Sequence, residues 1–600
     1  MRHFTLVWAI IISYALHAQK AETIIYNAEV YTLDDAHPHA EAIAIEKGRI
    51  LQIGSSKEIL KLKSNSTKII DAKGKCVIPG IFDSHLHVIR GGRFYHAELR
   101  WDGVHSIKRA LEMLREQAKR TPKGQWIRVV GGWSAYQFEE KRLPTLEEIN
   151  SATEGVPTFI LYLYGHAYLN KTGLEALNID SNTPNPKGGL IEKDIQGKPT
   201  GLLVAEPNAF LLYSTLARLP ELSDEEKLNS TQSFMRELNR FGITAVMDAG
   251  GGFQNYPEDY AISDKLCQSD NLTVRLPYFL FAQKPGIEIN DYNNWIRTVE
   301  IGHSCDNQSS SNELRHFEHK KTEYYVQGGG ENLVASAADF ENFDQPRPDL
   351  SSEMEGQLKA VISLLVKNRW PFRLHATYDE SITRFLNVIE DVNKTTPLNG
   401  LLWFFDHAET VSEKNLIRIK ALGGGIAIQH RMAFQGESFI KRYGLQAAQQ
   451  TPPIKRMIEL GIPVGMGSDG TRVSSYNPFI GLYWLTTGKT IRGTMHMNKE
   501  NILDRTTALK LYTQGSAQLV RLDKDRGKIK EGFLADIVIL NEDYFKVPEE
   551  GILLLESVLT ILNGEVVYGA GEYEVFDKRK IEVQPDWSPV KYFGGYQKKQ

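Results

Sequence analysis

His85 and His87 stand two residues apart in Asp83-Ser84-His85-Leu86-His87, directly after the apolar run Cys76–Phe82. In an extended segment residues i and i+2 share a face, so both imidazoles can reach one ion. Three more groups with ligand chemistry end later apolar runs: His375, His407 and Asp469. One histidine pair is a weak signal, because a lone histidine is more often a satisfied core or surface group. Four histidines and an aspartate, each closing a strand-like run, are hard to obtain by chance. Imidazoles with carboxylates suit Zn²⁺, and Mn²⁺ or Fe²⁺ fit the same set, with one or two ions per chain. Such an ion lowers the pKa of bound water toward about 7 and polarises a carbonyl. Asp469 can then take the water's proton and pass it to a leaving nitrogen, which suits hydrolysis of a carbon–nitrogen bond. A neutral His407 can bind metal or hold the substrate carbonyl, and its strand position favours the ligand. His430, and Arg472 with Tyr476 and Asn477, follow strand-like runs in the same way and are candidate substrate contacts. For Arg472 the alternative is a pairing with a neighbouring carboxylate.

These groups need a scaffold that brings distant strand ends together. Eight short apolar runs recur with helical stretches between them: Cys76–Phe82, Gly242–Met247, Leu272–Phe281, Thr322–Val326, Trp370–Leu374, Leu401–Phe405, Gly425–Ile428 and Ile462–Gly467. Mostly apolar strands alternating with helices predict a parallel sheet covered by helices, closed as a (β/α)₈ TIM-like barrel. A barrel gathers the C-terminal ends of its strands on one face, where the candidate ligands lie. The stretch from about 93 to 225 is too long for a loop and holds strands of its own at Trp126–Val130 and Thr158–Tyr164. It reads as a large insertion after the first barrel strand.

Strand-like runs also fill both ends of the chain: Thr23–Tyr26, Ala42–Ile45, Arg49–Ile53 and Lys68–Ile70, then Asp536–Leu540, Leu559–Leu562 and Glu565–Tyr568. Asn563-Gly564 between the last two is a strong hairpin signal. Neither block buries a convincing core alone, so residues 19–75 and 526–600 are expected to form one β-sandwich around a barrel spanning 76–525.

The chain has 600 residues, 42% hydrophobic and 24% charged, which excludes a largely disordered, collagenous or multi-spanning membrane protein. Its 70 Lys and Arg against 74 Asp and Glu give a net charge of −4. That balance offers no electrostatic case for nucleic acid or an anionic membrane, so a small molecule is the expected partner. A homodimer is compatible with everything above. Three cysteines, Cys76, Cys267 and Cys305, make no disulfide framework and lack C-x-x-C spacing. Met1-Arg2-His3, the apolar run Phe4–Ala15 and the small residue Ala18 read as a signal peptide over residues 1–18. The run is too short for a stable membrane span, so export to the periplasm or beyond is expected.

The motifs Gly80-Ile81-Phe82-Asp83-Ser84-His85-Leu86-His87, Gly131-Gly132-Trp133, Gly165-His166-Ala167, Pro199-Thr200-Gly201-Leu202-Leu203, Asp406-His407-Ala408, Gly467-Ser468-Asp469 and Gly532-Phe533-Leu534-Ala535-Asp536 run along the chain in this order. On them the chain resembles the amidohydrolase superfamily, specifically the YtcJ-like amidohydrolase 3 family that includes N-substituted formamide deformylase. The resemblance spans nearly all of the chain beyond the signal. It implies a metal-dependent hydrolase of N-acyl, N-formyl or cyclic amides rather than peptides. It also implies His407 as a ligand, and His166, Asn170 and Glu206 as pocket residues of the insertion. The family usually carries a lysine at the end of the fourth strand, whose carboxylated side chain bridges two metals. Here Glu323-Tyr324-Tyr325-Val326-Gln327-Gly328 puts Glu323 at that position. Its carboxylate can bridge without carbon dioxide, which makes Glu323 a sixth candidate ligand. Two alternatives stand beside this reading. One is an esterase, lactonase or hydrolase of dipeptide conjugates using the same site. The other is a non-catalytic binding protein on a retained barrel.

Overall fold

The computed structural model describes residues 20–205, 209–250, 258–279, 316–317, 350–579 and 581–597. Both ends of the chain enter one six-stranded sheet, in the order Glu565–Gly569, Ser557–Leu562, Ile537–Leu540, Cys76–Pro79, Glu29–Tyr31 and His39–Ala40. A four-stranded sheet, Arg49–Gly54, Ala42–Glu46, Thr23–Tyr26 and Lys68–Asp71, lies beside it. Ile25, Ile43, Val77, Ile537 and Ile561 come from both sheets and share one buried cluster. Asn563 and Gly564 have φ of 51° and 80°, the left-handed pair that a two-residue hairpin of mirror-image type requires.

The run Cys76–Phe82 reads as one strand in the sequence but forms two. Cys76–Pro79 pairs antiparallel with Ile537–Leu540, whereas Ile81–Leu86 pairs parallel with Ile243–Asp248. Gly80 is where the chain changes sheets. Its N–H donates to Asp536 O at 2.9 Å, and a Cβ there would lie 2.1 Å from Thr244 Oγ1. Only a residue without a side chain can cross so closely.

Phe372–Ala376, Trp403–His407, Gly425–Gln429 and Val464–Gly467 form a parallel sheet in chain order. The Ile81–Leu86 and Ile243–Asp248 pair gains parallel bridges from Ala245 to Arg275 and from Asp248 to Tyr278. Phe82, Met247, Phe279, Phe404 and Ala427 from these two arcs meet in one buried cluster. The helices Asp379–Thr395 and Glu413–Ala421 connect successive strands and bury one apolar side, including Phe385, Ile389, Leu416 and Ile419. Two strands begin later than the apolar pattern predicts. Trp370 and Leu401 are buried in the approach loops, where hydrophobicity serves packing and not pairing. In consequence His375 and His407 lie inside their strands. Of the third predicted strand, Leu276–Pro277 is strand, antiparallel to His316–Phe317, and Leu280 and Phe281 lie outside the described residues. The fourth predicted strand, Thr322–Val326, also lies outside them.

The insertion folds around a five-stranded sheet ordered Gly189–Lys193, Pro199–Ala205, His166–Leu169, Thr158–Tyr162 and Ile127–Val130. Alternation along Thr158–Tyr162 feeds two cores: Ile160 and Tyr162 join Leu111 and Leu114 on one face, while Phe159 and Leu161 join Leu174 and Leu212 on the other. Among the described residues no helix is long and apolar enough to cross a membrane.

Candidate active site

The end of the Val464–Gly467 strand meets the end of Ile81–Leu86. Asp469 N donates to His85 O at 2.7 Å, and His87 N donates to Gly470 O at 3.0 Å. Asp83 Oδ1 ties the same two ends together by accepting the N–H groups of His85 at 2.9 Å and Ser468 at 3.0 Å. Full burial pushes the Asp83 carboxyl up to about 6, against the hydrogen bonds that favour its charge.

That junction converges two imidazoles on one carboxylate oxygen. Asp469 Oδ1 lies 3.5 Å from His85 Nε2 and 3.2 Å from His87 Nε2. His407 joins from the neighbouring sheet, its ring centroid 5.0 Å from that of His85, and His375 stacks edge-on against His407 at 4.4 Å. Donor atoms of His85, His407 and Asp469 all lie within 4.8 Å of one another, and all three residues are buried. Thus five of the six sequence-predicted ligands come together; the sixth, Glu323, lies outside the described residues, as does Glu206.

Three features fit this set to a divalent cation. His87 Nδ1 contacts Gly250 O and so donates to it, which leaves Nε2 with its lone pair turned inward, and His85 Nδ1 is held 3.0 Å from Asp406 Oδ1 beside Arg373. Burial, reinforced by Arg90, holds the His87 pKa below the usual histidine range and keeps the ring neutral. Burial opposes charge on Asp469, while Arg431, 3.6 Å from its Oδ2, favours the ionised carboxyl. Two neutral imidazole nitrogens aimed at an ionised carboxylate oxygen are the donor chemistry of a zinc-type site.

The backbone at these ends is strained. His407, Ala408 and Asp469 have φ of 74°, 50° and 57°, left-handed values that cost on the order of 1–3 kcal/mol each for such residues. Strain of this kind concentrates where side chains must be aimed and the surrounding structure holds them there.

Beneath the donors lies a charge network that the ligand pattern did not announce. Arg373 Nε donates to Asp406 Oδ2 at 2.7 Å, and its Nη2 contacts both Asp406 Oδ1 and His85 Nδ1. Arg373 also stands over the rings of Phe279 and Phe404, at 5.5 and 5.3 Å. Burial opposes ionisation of Asp406, but Arg373 and His85 prevail and keep its carboxyl below the usual range. Arg431 pairs with buried Glu409 and sits 3.6 Å from Asp469 Oδ2. The available signal was Arg373 itself: a cation two residues before His375, on the same face of an otherwise apolar strand.

Two expected substrate contacts are corrected. Asn170 caps the Lys171–Ala176 helix: its Oδ1 accepts from Gly173 N and Thr158 N, and its Nδ2 donates to Thr153 Oγ1 and Val156 O. Every polar valence is spent inside the insertion, in an N-cap position worth about 1 kcal/mol. His430 has both ring nitrogens engaged, Nδ1 with Tyr512 Oη at 3.0 Å and Nε2 with Ser475 O at 2.8 Å. Burial pushes its pKa down to about 4, so it is a neutral clamp between two loops. His166 lies in the insertion sheet opposite Tyr162 and Val204, half-buried, with its ring stacked on Tyr162. Arg472 is buried beside the site on the loop after Asp469. Gly131 lets the insertion come this close, because a Cβ there would lie 2.0 Å from Arg472 Cα.

Residues 68–568 match the model of the amidohydrolase family Amidohydro_3. The Bacillus subtilis protein YtcJ is 25% identical over 91% of this chain and 99% of its own. N-substituted formamide deformylase of Arthrobacter pascens is 23% identical over 92% of this chain and 99% of its own. An uncharacterized metal-dependent hydrolase from Pyrococcus furiosus has a similar fold, with a TM-score of 0.60 at 20% identity over 87% of this chain and 100% of that one.

Proposed function

The chain belongs to the amidohydrolase family, and from that premise we propose that this enzyme hydrolyses carbon–nitrogen bonds other than peptide bonds, in N-acyl, N-formyl or cyclic amides. The observation that carries the reading is the convergence of His85, His87, His407 and Asp469, with His375 adjoining, at the junction of two parallel strand arcs. We read those arcs as parts of one (β/α)₈ barrel, with a β-sandwich made by the chain ends; the shared cluster of Phe82, Met247, Phe279 and Phe404 supports closure. Zn²⁺ is the proposed ion, held by the four histidines and Asp469, with Glu323 as a further ligand that allows a second ion.

A divalent ion in this set supplies an acidified water and an electrophile for the scissile carbonyl. The chain's own groups do the rest. His87 is held in one tautomer by the Gly250 carbonyl, and His85 is positioned by Asp406. Asp469, with Arg431 3.6 Å from Oδ2 favouring its ionised form, accepts the attacking water's proton at that oxygen and delivers it to the leaving nitrogen. Protonating that nitrogen lets an amine depart, which is why an amide suits the site better than an ester. The A. pascens relative, by its name a deformylase of N-substituted formamides, supports the same bond class.

The test is elemental analysis and an activity screen on purified full-length protein against N-formyl and N-acyl amines. Wild type is expected to hold one to two divalent ions and to cleave members of the panel. His85→Ala/His87→Ala should lose both metal and hydrolysis, and Glu323→Gln should lose the second ion first, since a neutral amide bridges cations poorly. A double variant with full metal content and turnover would sink the site assignment.

We also propose export with cleavage after Ala18, supported by the Phe4–Ala15 run. N-terminal mass spectrometry of protein recovered outside the cytoplasm should begin at Gln19; an intact Met1 there would contradict it.

A further inference from the structure

Beside the candidate metal centre is a cavity of about 190 Å³ whose lining carries an uneven set of charges. Arg90 comes from the Val88–Phe94 helix, which begins immediately after His87, and Arg472 follows Asp469 by three residues. Arg93 and Arg128 complete the cations, and Glu98, Glu221 and Asp259 are the acids. Each acid already has a partner. Glu98 binds Arg100 at 2.6 Å, Glu221 binds Lys227 at 2.6 Å, and Asp259 binds Arg93. Arg128 donates to Pro220 O.

Arg90 and Arg472 have no ion pair among the described residues. The buried Nε and Nη2 of Arg90 and the buried Nε of Arg472 also lack a hydrogen-bond partner among them. Arg472 is 4% exposed, so water does not screen it. Both guanidinium groups stand near the Tyr213 ring, at 4.6 Å for Arg472 and 5.9 Å for Arg90. Burial, and then repulsion from Arg90, lowers the Arg472 pKa, while Glu98 attracts it at longer range. Two neighbouring like charges, Arg472 buried and Arg90 partly so, with buried nitrogens whose hydrogen bonds are unmade, are costly unless an anion completes them. The guanidinium fork matches a carboxylate. Glu98 and Glu221 are neutralised by Arg100 and Lys227 from outside the lining and Asp259 by Arg93, so the charge of Arg90 and Arg472 is left for an anion. Leu216 and Leu219 add apolar walls for the part of the substrate that carries it. The cavity adjoins the metal centre closely enough for Arg90 to act electrostatically on both His87 and Asp469.

We propose that Arg90 and Arg472 form a carboxylate subsite, and that the preferred substrates are N-acyl amines bearing a carboxylate near the scissile bond, such as N-acyl amino acids. This rests on the amide-hydrolase reading given above and adds the substrate class to it.

The experiment is calorimetric titration of full-length protein, metal-free and zinc-loaded, with N-acetylphenylalanine and its primary amide, two probes of one shape that differ in charge. The acid is expected to bind at least about tenfold more tightly. Arg472→Gln and Arg90→Gln should each remove most of that preference. Arg472→Lys, which keeps the charge, should retain part of it. Equal affinities in wild type, or an undiminished preference in both glutamine variants, would overturn the subsite. Should the glutamine variants fail to fold, the wild-type pair and the lysine variant still decide. The two readings fail separately. Tight binding of the acid with no cleavage of any acyl amine keeps the subsite and rejects the hydrolase. Equal kcat/KM for charged and neutral N-acyl amines rejects the subsite and keeps the hydrolase.

Discussion

Asp469→Asn is expected to lower kcat by about 10²–10⁴-fold while metal content stays near that of wild type. The amide keeps the shape of the side chain and an oxygen toward His85 and His87, which lie 3.5 and 3.2 Å from Oδ1. What it loses is the ability to accept a proton at Oδ2 and give it back. Loss of turnover with retained metal separates proton transfer from coordination. Single-turnover kinetics with elemental analysis on the same sample make the distinction. Near-normal turnover would assign the proton to another group, and parallel loss of metal and rate would make Asp469 chiefly a ligand.

The largest expected stability effect lies one layer deeper. Arg373→Met leaves Asp406 ionised with its cation gone, and both side chains are fully buried in the wild type. Removing one partner of a buried pair costs about 3–5 kcal/mol, because the remaining charge has neither water nor counter-ion. Adding Asp406→Asn should recover much of that loss, since the double variant buries no unpaired charge. Urea unfolding of the metal-free proteins, followed by tryptophan fluorescence and by circular dichroism, gives the comparison. A loss below about 1 kcal/mol in the single variant would show that the pair is solvated or dispensable. A double variant no more stable than the single one would trace the cost to lost packing against Phe279 and Phe404 instead.

The donors were legible because they break a strong pattern. A histidine at the end of an apolar strand has few structural reasons to be there, and five such residues met as the alternation of strands and helices requires. The hairpin at Asn563-Gly564 was legible because its dihedral demand admits few residues. Other features depend on partners far away in sequence. Nothing local to His430 names Tyr512 and Ser475, and so a clamp and a substrate contact read alike. Asn170 is more accessible, since an asparagine just before Lys171-Thr172-Gly173 is a sound N-cap signal. The break at Gly80 was hidden inside continuous hydrophobicity. The run Cys76–Phe82 is apolar on both sides of the glycine, and only the pairing with Asp536 and Thr244 shows that it serves two sheets. That Arg90 and Arg472 make no ion pair among the described residues is likewise a property of what surrounds them.

The switch at Gly80 also has a meaning in time. The strand before it, Cys76–Pro79, takes its register from Ile537–Leu540, with Val77 opposite Ile539. The strand after it carries His85 and leads into His87. A ribosome adding about 5–20 residues per second needs on the order of a minute to travel from one of these partners to the other. During that interval Cys76–Pro79 has its earlier neighbour Glu29–Tyr31 but lacks its later one. The sheet that adjoins the first histidines is therefore closed on that side only once Ile537–Leu540 is made, and a polypeptide ended before it carries the candidate donors with one side of their frame missing.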